Sequence, residues 1–163
     1  MVRRCFYSFH YAEDSWRVST VKQIGAIEGQ PLVRGNQWEE IERRGEAAIR
    51  NWIDENLKGR SCLIVLVGRV TAGRKWVKYE IEKAWNEGKG VLGVRIHNLK
   101  NQNGATSAAG ANPFASYNVN GAPLTNWAKV YDPAGATSQE VYNTIANNIE
   151  KWVEEAIRLR GTV

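Results

Sequence analysis

Apolar residues recur along this chain in two ways, as short unbroken runs and at intervals of three and four, and the two kinds alternate. Cys5 to Phe9, Cys62 to Val67 and Val91 to Ile96 are runs too short for a helix and without polar alternation, as expected of strands buried on both faces. Cys62-Leu63-Ile64-Val65-Leu66-Val67 is the most apolar of the three and belongs in the middle of a sheet. Between the runs, Trp16, Val18, Val21 and Ile24 give a loose helical spacing from a capping Asp14 as far as Gly25. Ile41, Ala48, Ile49, Trp52, Ile53 and Leu57 predict one long helix over Trp38 to Leu57, stopped by Gly59. Thr137-x-x-Glu140 is a capping box, and Val141, Ile145, Ile149, Trp152, Val153 and Ile157 behind it predict a terminal helix to about Arg160.

The remaining segments are less regular. Ala26 to Gln37, with Gly29, Pro31 and Gly35, offers only Ala26-Ile27 or Leu32-Val33 as a second strand. Asn98 to Asn126 is rich in Asn, Gly, Ala and Ser with little periodicity, which predicts a long surface loop, and Trp127 to Tyr131 can supply a last strand. Strand and helix alternate throughout. The expected fold is therefore α/β, a doubly wound, mostly parallel five-stranded sheet flanked by helices, in one domain over residues 1–163.

One helix carries an acid in an unusual place. From about Arg74, after the loop Gly68 to Gly73, Val77, Ile81, Ala84 and Trp85 share one side, while Lys78, Glu82 and Asn86 lie opposite. Glu80, in the second turn, projects from the shoulder of the apolar stripe, about 80° from its centre, with Trp76 beside it at i−4. Glu80 is either a boundary residue solvated at its tip or a half-buried carboxylate fit for chemistry. Strand order in such a fold gathers Ser8, Phe9, His10 and Tyr11 with Gly68 to Thr71 and His97-Asn98 at the carboxyl ends of the strands, where open parallel sheets bind ligands. Glu80 and Trp76 can reach the same rim.

Composition narrows the classes. A net charge of +5 suits an anionic ligand, but the Lys and Arg are scattered among acids, so nucleic-acid binding is not expected. Cys5 and Cys62 form no metal or redox spacing and read as small reduced core residues, which points to the cytoplasm. Met1-Val2-Arg3-Arg4 runs straight into a predicted strand and no apolar run approaches the length of a membrane span, so neither export nor anchoring is expected. His10 and His97 are the only histidines and make no metal-ligand spacing, so no protein-held metal is expected. Gly88-Lys89-Gly90-Val91-Leu92-Gly93 has the letters of a dinucleotide fingerprint in the wrong context, because it leaves a helix and enters a strand. Gly68 to Lys75 lacks the Lys and the Ser or Thr of a triphosphate-binding loop. Ser8 with His10 is no hydrolase pair, since Ser8 lies in a strand without a Gly-x-Ser-x-Gly elbow.

Two stretches together resemble the Toll/interleukin-1 receptor (TIR) domains, and among them the small bacterial TIR-like proteins of Thoeris antiphage defence. Cys5-Phe6-Tyr7-Ser8-Phe9-His10-Tyr11, with acids at Glu13 and Asp14, is similar to the family's opening strand, and Trp76-Val77-Lys78-Tyr79-Glu80 to its Trp-x-x-x-Glu helix. Ile64 to Gly68, Gly90 to His97 and Asn112-Pro113-Phe114 are lesser matches. The resemblance implies a flavodoxin-like sheet and a catalytic Glu80, with Ser8, Phe9, His10 and Trp76 binding substrate. It implies NAD as substrate rather than cofactor, cleaved at the nicotinamide-ribose bond and cyclised into a signalling nucleotide. It further implies a phage-derived trigger, a homo-oligomer when active, and an effector reached through the diffusible product. A non-enzymatic TIR-type assembly module, or a flavodoxin-like nucleotide binder, are the alternatives. Residues 25 to 37, where the family carries its BB loop, show no motif that aligns.

Overall fold

Five parallel strands form the sheet, lying across it in the order Ile27–Glu28, Arg3–Ser8, Cys62–Val67, Gly90–Arg95 and Val130–Tyr131. In this computed structural model, which describes residues 2–31 and 35–163 without the side chains of 35–37, they are β1 (Arg3–Ser8), β2 (Ile27–Glu28), β3 (Cys62–Val67), β4 (Gly90–Arg95) and β7 (Val130–Tyr131). The helices are α1 (Tyr11–Lys22), α2 (Gly35–Arg43), α3 (Glu46–Leu57), α4 (Lys75–Asn86) and α5 (Ser138–Arg160). A short hairpin of β5 (Asn118–Val119) and β6 (Ala122–Pro123) stands apart from the sheet.

The period of two along each strand sorts the core into two halves. Cys5, Tyr7, Ile64, Leu66, Leu92 and Val94 face one side, where Val18 and Val21 of α1 and Ile145, Ile149 and Val153 of α5 cover them. Phe6, Leu63, Val65, Val67 and Val91 face the other, against Ile49, Ile53 and Leu57 of α3 and Val77, Ile81 and Ala84 of α4. Every residue of β3 is fully buried, as its unbroken apolar run requires. Cys5 and Cys62 are buried, free and opposite each other in the β1–β3 register. The expected α/β architecture is present, with helices on both faces.

Several boundaries differ from expectation. The helix predicted over Trp38 to Leu57 is two helices, because Gly45 turns the chain at a φ of +95°, a conformation that excludes most other residues. α1 starts at Tyr11 behind His10, so Asp14 does not cap it but lies buried in its first turn. Of the two options for a second strand, β2 takes Ile27, and Leu32-Val33 lies outside the described residues. The last strand is shorter than Trp127 to Tyr131, since Trp127 closes a single 3₁₀ turn over Leu124–Asn126. Asn98 to Asn126 is not wholly a surface loop: Leu99 and Phe114 are fully buried and Leu124 nearly so. Asn120 and Gly121 turn the β5–β6 hairpin, both at positive φ. The capping box at Thr137 and Glu140 forms as predicted.

Candidate active site

Period two also explains why Glu80 has a partner. Ser8 lies two residues beyond Phe6, hence on the sheet face that α4 covers, and at the end of the strand where its hydroxyl is clear of the ladder. From there Ser8 Oγ donates to Glu80 Oε1 at 2.7 Å. Glu80 is 8% exposed and Ser8 1%, so this acid is more deeply buried than its place on the shoulder of the stripe suggests. Burial pushes the Glu80 carboxyl up to about 8, while the Ser8 hydroxyl pulls it back toward the ionised form.

Glu80 opens into an inner cleft of about 60 Å³ whose walls are aromatic. Rings run in contact along one side, Phe9 to Tyr11 to Trp38 to Trp52 to Phe6, with neighbouring centroids 5.7 to 6.1 Å apart. Trp76, one turn before Glu80 on α4, also lines the cleft and meets Tyr79 edge-on at 5.7 Å. An outer cleft of about 450 Å³ shares Phe9, Tyr11, Trp38 and Trp76 with the inner one. It adds His10, Arg74 and Lys75 as possible anion partners and Glu39 and Glu42 as acids. Lys75 also pairs with Glu46 and stands 5.1 Å over the Trp76 ring.

Gln30 and Pro31 close the inner cleft beside β2. The Gln30 amide accepts from Tyr7 N and donates to Tyr7 O, both at 2.8 Å, so a side chain takes the place of the next ladder residue after the two-residue strand. Gly29 is needed there, because a Cβ would lie 2.4 Å from the Tyr7 ring.

Five residues anticipated from sequence, Ser8, Phe9, His10, Trp76 and Glu80, are thus gathered, though Ser8 touches the acid from behind and does not line the cleft. The other strand ends are not part of it. Gly68 packs against Asp14 and the backbone of Gly110, Ser107 N bonds His97 O, and none of Gly68 to Thr71 or His97 lines either cleft. Asp14 pairs instead with Arg17 at 3.1 Å, and Arg17 holds the carbonyls of Leu99 and Ala105, roofing these strand ends with the 99–105 segment. Glu13 pairs with Arg69. Sequence reasoning missed Trp38, Trp52, Gln30 and Arg74. Trp38 and Trp52 read as face positions of one continuous helix, in which 14 residues would hold them about 21 Å apart along the axis; the break at Gly45 lets their rings meet at 5.7 Å.

Among the described residues no group of acids, histidines and cysteines could hold a metal ion, and no helix is long and apolar enough to cross a membrane. The family model described as "Thoeris protein ThsB, TIR-like domain" matches residues 6–101, more than half of the chain, and spans both the Ser8 strand and the Glu80 helix. A relative from Bacillus cereus (strain MSX-D12), named "Putative cyclic ADP-D-ribose synthase ThsB1", is 27% identical over 167 residues, covering 97% of this chain and 85% of the relative. The parallel sheet in the order β2-β1-β3-β4-β7 and the family match agree, and this chain belongs to the TIR-like family of Thoeris protein ThsB.

Proposed function

We propose that this protein cleaves the nicotinamide-ribose bond of NAD and closes the remaining ADP-ribose into a cyclic nucleotide. The observation that carries this reading is a buried carboxylate, Glu80, held by one hydroxyl at the floor of an aromatic cleft. A relative named for cyclic ADP-D-ribose synthesis, similar along nearly the whole chain, supports the same chemistry.

The reaction balances without a cofactor. Departure of neutral nicotinamide leaves oxocarbenium character at the ribose anomeric carbon, and ionised Glu80 stabilises that charge. A nucleophile of the same ADP-ribose then bonds to the anomeric carbon and releases one proton. Cyclisation requires that internal nucleophile to arrive before water, and the ring-lined walls around Glu80 keep water scarce. In this reading the nicotinamide ring lies against the aromatic walls of the inner cleft, and the pyrophosphate meets His10, Arg74 and Lys75 in the outer one. The product serves as a diffusible signal to an effector protein, and activity follows a phage-derived trigger and assembly of several copies.

The test is nucleotide chromatography of NAD incubated with the protein, alone and in phage-infected cells. Free nicotinamide together with a product one water lighter than ADP-ribose is the expected outcome. Assembly of the protein in triggered cells with no nicotinamide release would favour the non-enzymatic module instead.

A further inference from the structure

The inner cleft combines two features that neutral ligands do not need. Its charge is of one sign: the chain carries 22 Lys and Arg, yet the only charged side chain among the described residues lining this cleft is Glu80. Its walls are ring systems, with Trp38 stacked on Tyr11 at 25° and edge-on to Trp52 at 75°, and Trp76 on α4 completing the enclosure. Aromatic rings carry negative charge on their faces and attract cations most strongly where water is excluded. A buried acid whose one partner among the described residues is a hydroxyl gains from the same cation.

We propose that this cleft is a cation cage, which takes N-substituted pyridinium rings and selects them by charge over neutral rings of the same shape. The inference rests on the reading of this cleft as the nicotinamide-ribose site, and it adds a consequence that cleavage alone does not require. Oxidised dinucleotides and other N-ribosyl pyridiniums enter as cations. The reduced, uncharged dihydropyridine form binds more weakly and is a poor competitor for the site. The preference belongs to the chain before any bond is broken, so ligands that cannot react reveal it.

The probes are 1-methylnicotinamide and 3-methylbenzamide, its uncharged carbon isostere, each titrated into the full chain by tryptophan fluorescence and calorimetry. Measurement at about pH 9 keeps Glu80 ionised, while the phenols of Tyr7 and Tyr11, the other titratable groups lining the cleft, are raised by burial. The cation should bind about tenfold or more tightly than its isostere, given one carboxylate and several ring faces. Glu80→Gln should reduce that ratio severalfold with little change for 3-methylbenzamide, and Trp38→Leu should weaken the cation more than the isostere. Equal or tighter binding of the neutral probe by the unaltered chain overturns the proposal and needs no variant, as does failure of the cation to bind at all. Cleavage of NAD without a charge preference would remove this inference and leave the proposed function standing. A charge preference without cleavage would do the reverse.

Discussion

Ser8 and Glu80, 72 residues apart in sequence, meet at 2.7 Å between the end of β1 and the second turn of α4. The hydroxyl can only donate to an ionised carboxylate at that oxygen, so it favours the charged form of an acid that burial otherwise keeps protonated near neutrality. In the proposed reaction Ser8 therefore acts through Glu80 as a positioning residue, by favouring the ionised carboxylate.

Ser8→Ala should therefore move the pH profile rather than abolish activity. Loss of a hydrogen bond to a charged group, about 1.5–3 kcal/mol, raises the Glu80 pKa by about one to two units. The rising limb of kcat/KM against pH should shift upward by that amount, with the alkaline plateau largely kept. A profile that keeps its midpoint and only drops in height would contradict the role given to Ser8.

Glu80 also makes stability depend on pH. In the unfolded chain it ionises near 4.5, in the folded chain near 8, so between those values the folded state holds the extra proton. Its contribution is present below 4.5 and is lost as pH rises toward 8, at up to about 1.4 kcal/mol per pH unit. Glu80→Gln removes this dependence. In urea melts the variant should match the parent below 4.5, exceed it by several kcal/mol above 8, and never be less stable on the alkaline side.

Arg17 is 2% exposed, and it bonds Asp14, Leu99 O and Ala105 O. Arg17→Met would strand a fully buried Asp14 and free the 99–105 segment, at a cost of about 3–5 kcal/mol. Denaturant midpoints together with faster amide exchange in residues 99–105 would register it. A loss below about 1 kcal/mol would show that the pair is dispensable.

Gln30→Ala leaves the N–H and C=O of Tyr7 without the amide that holds them, at about 1–3 kcal/mol for each buried group left bare. Because Gln30 and Pro31 wall the inner cleft, the KM for NAD should rise alongside the loss of stability. A stability loss with unchanged KM would detach this wall from substrate binding.

What the sequence disclosed follows from which signals are local. Helical periodicity put Glu80 and Trp76 on one shoulder of α4, and the unbroken run of β3 marked the centre of the sheet, because each pattern is complete within one element. The Ser8–Glu80 bond depends on the β1–β3 register and on the packing of α4, neither of which a local pattern contains. The helix predicted from Trp38 to Leu57 failed because both halves are amphipathic, and their summed periodicity passed over the Arg44-Gly45 break. The short β2 was ambiguous because the ladder beyond it is continued by the Gln30 side chain, which no strand propensity reports. The Asn120-Gly121 turn is, like Gly45, a local signal that periodicity does not register, and it places the hairpin inside a segment otherwise without periodicity.

Whether the Glu80 carboxylate does the chemistry is read directly from nicotinamide release and cyclic-product formation by the parent, Glu80→Gln and Glu82→Gln in the same triggered cells. Glu82 lies on the exposed face of α4 and bonds Tyr117, so its variant reports any general damage to the helix. Both products should fall by at least about a hundredfold in Glu80→Gln and be retained in Glu82→Gln. Undiminished product from Glu80→Gln would contradict that role for the carboxylate.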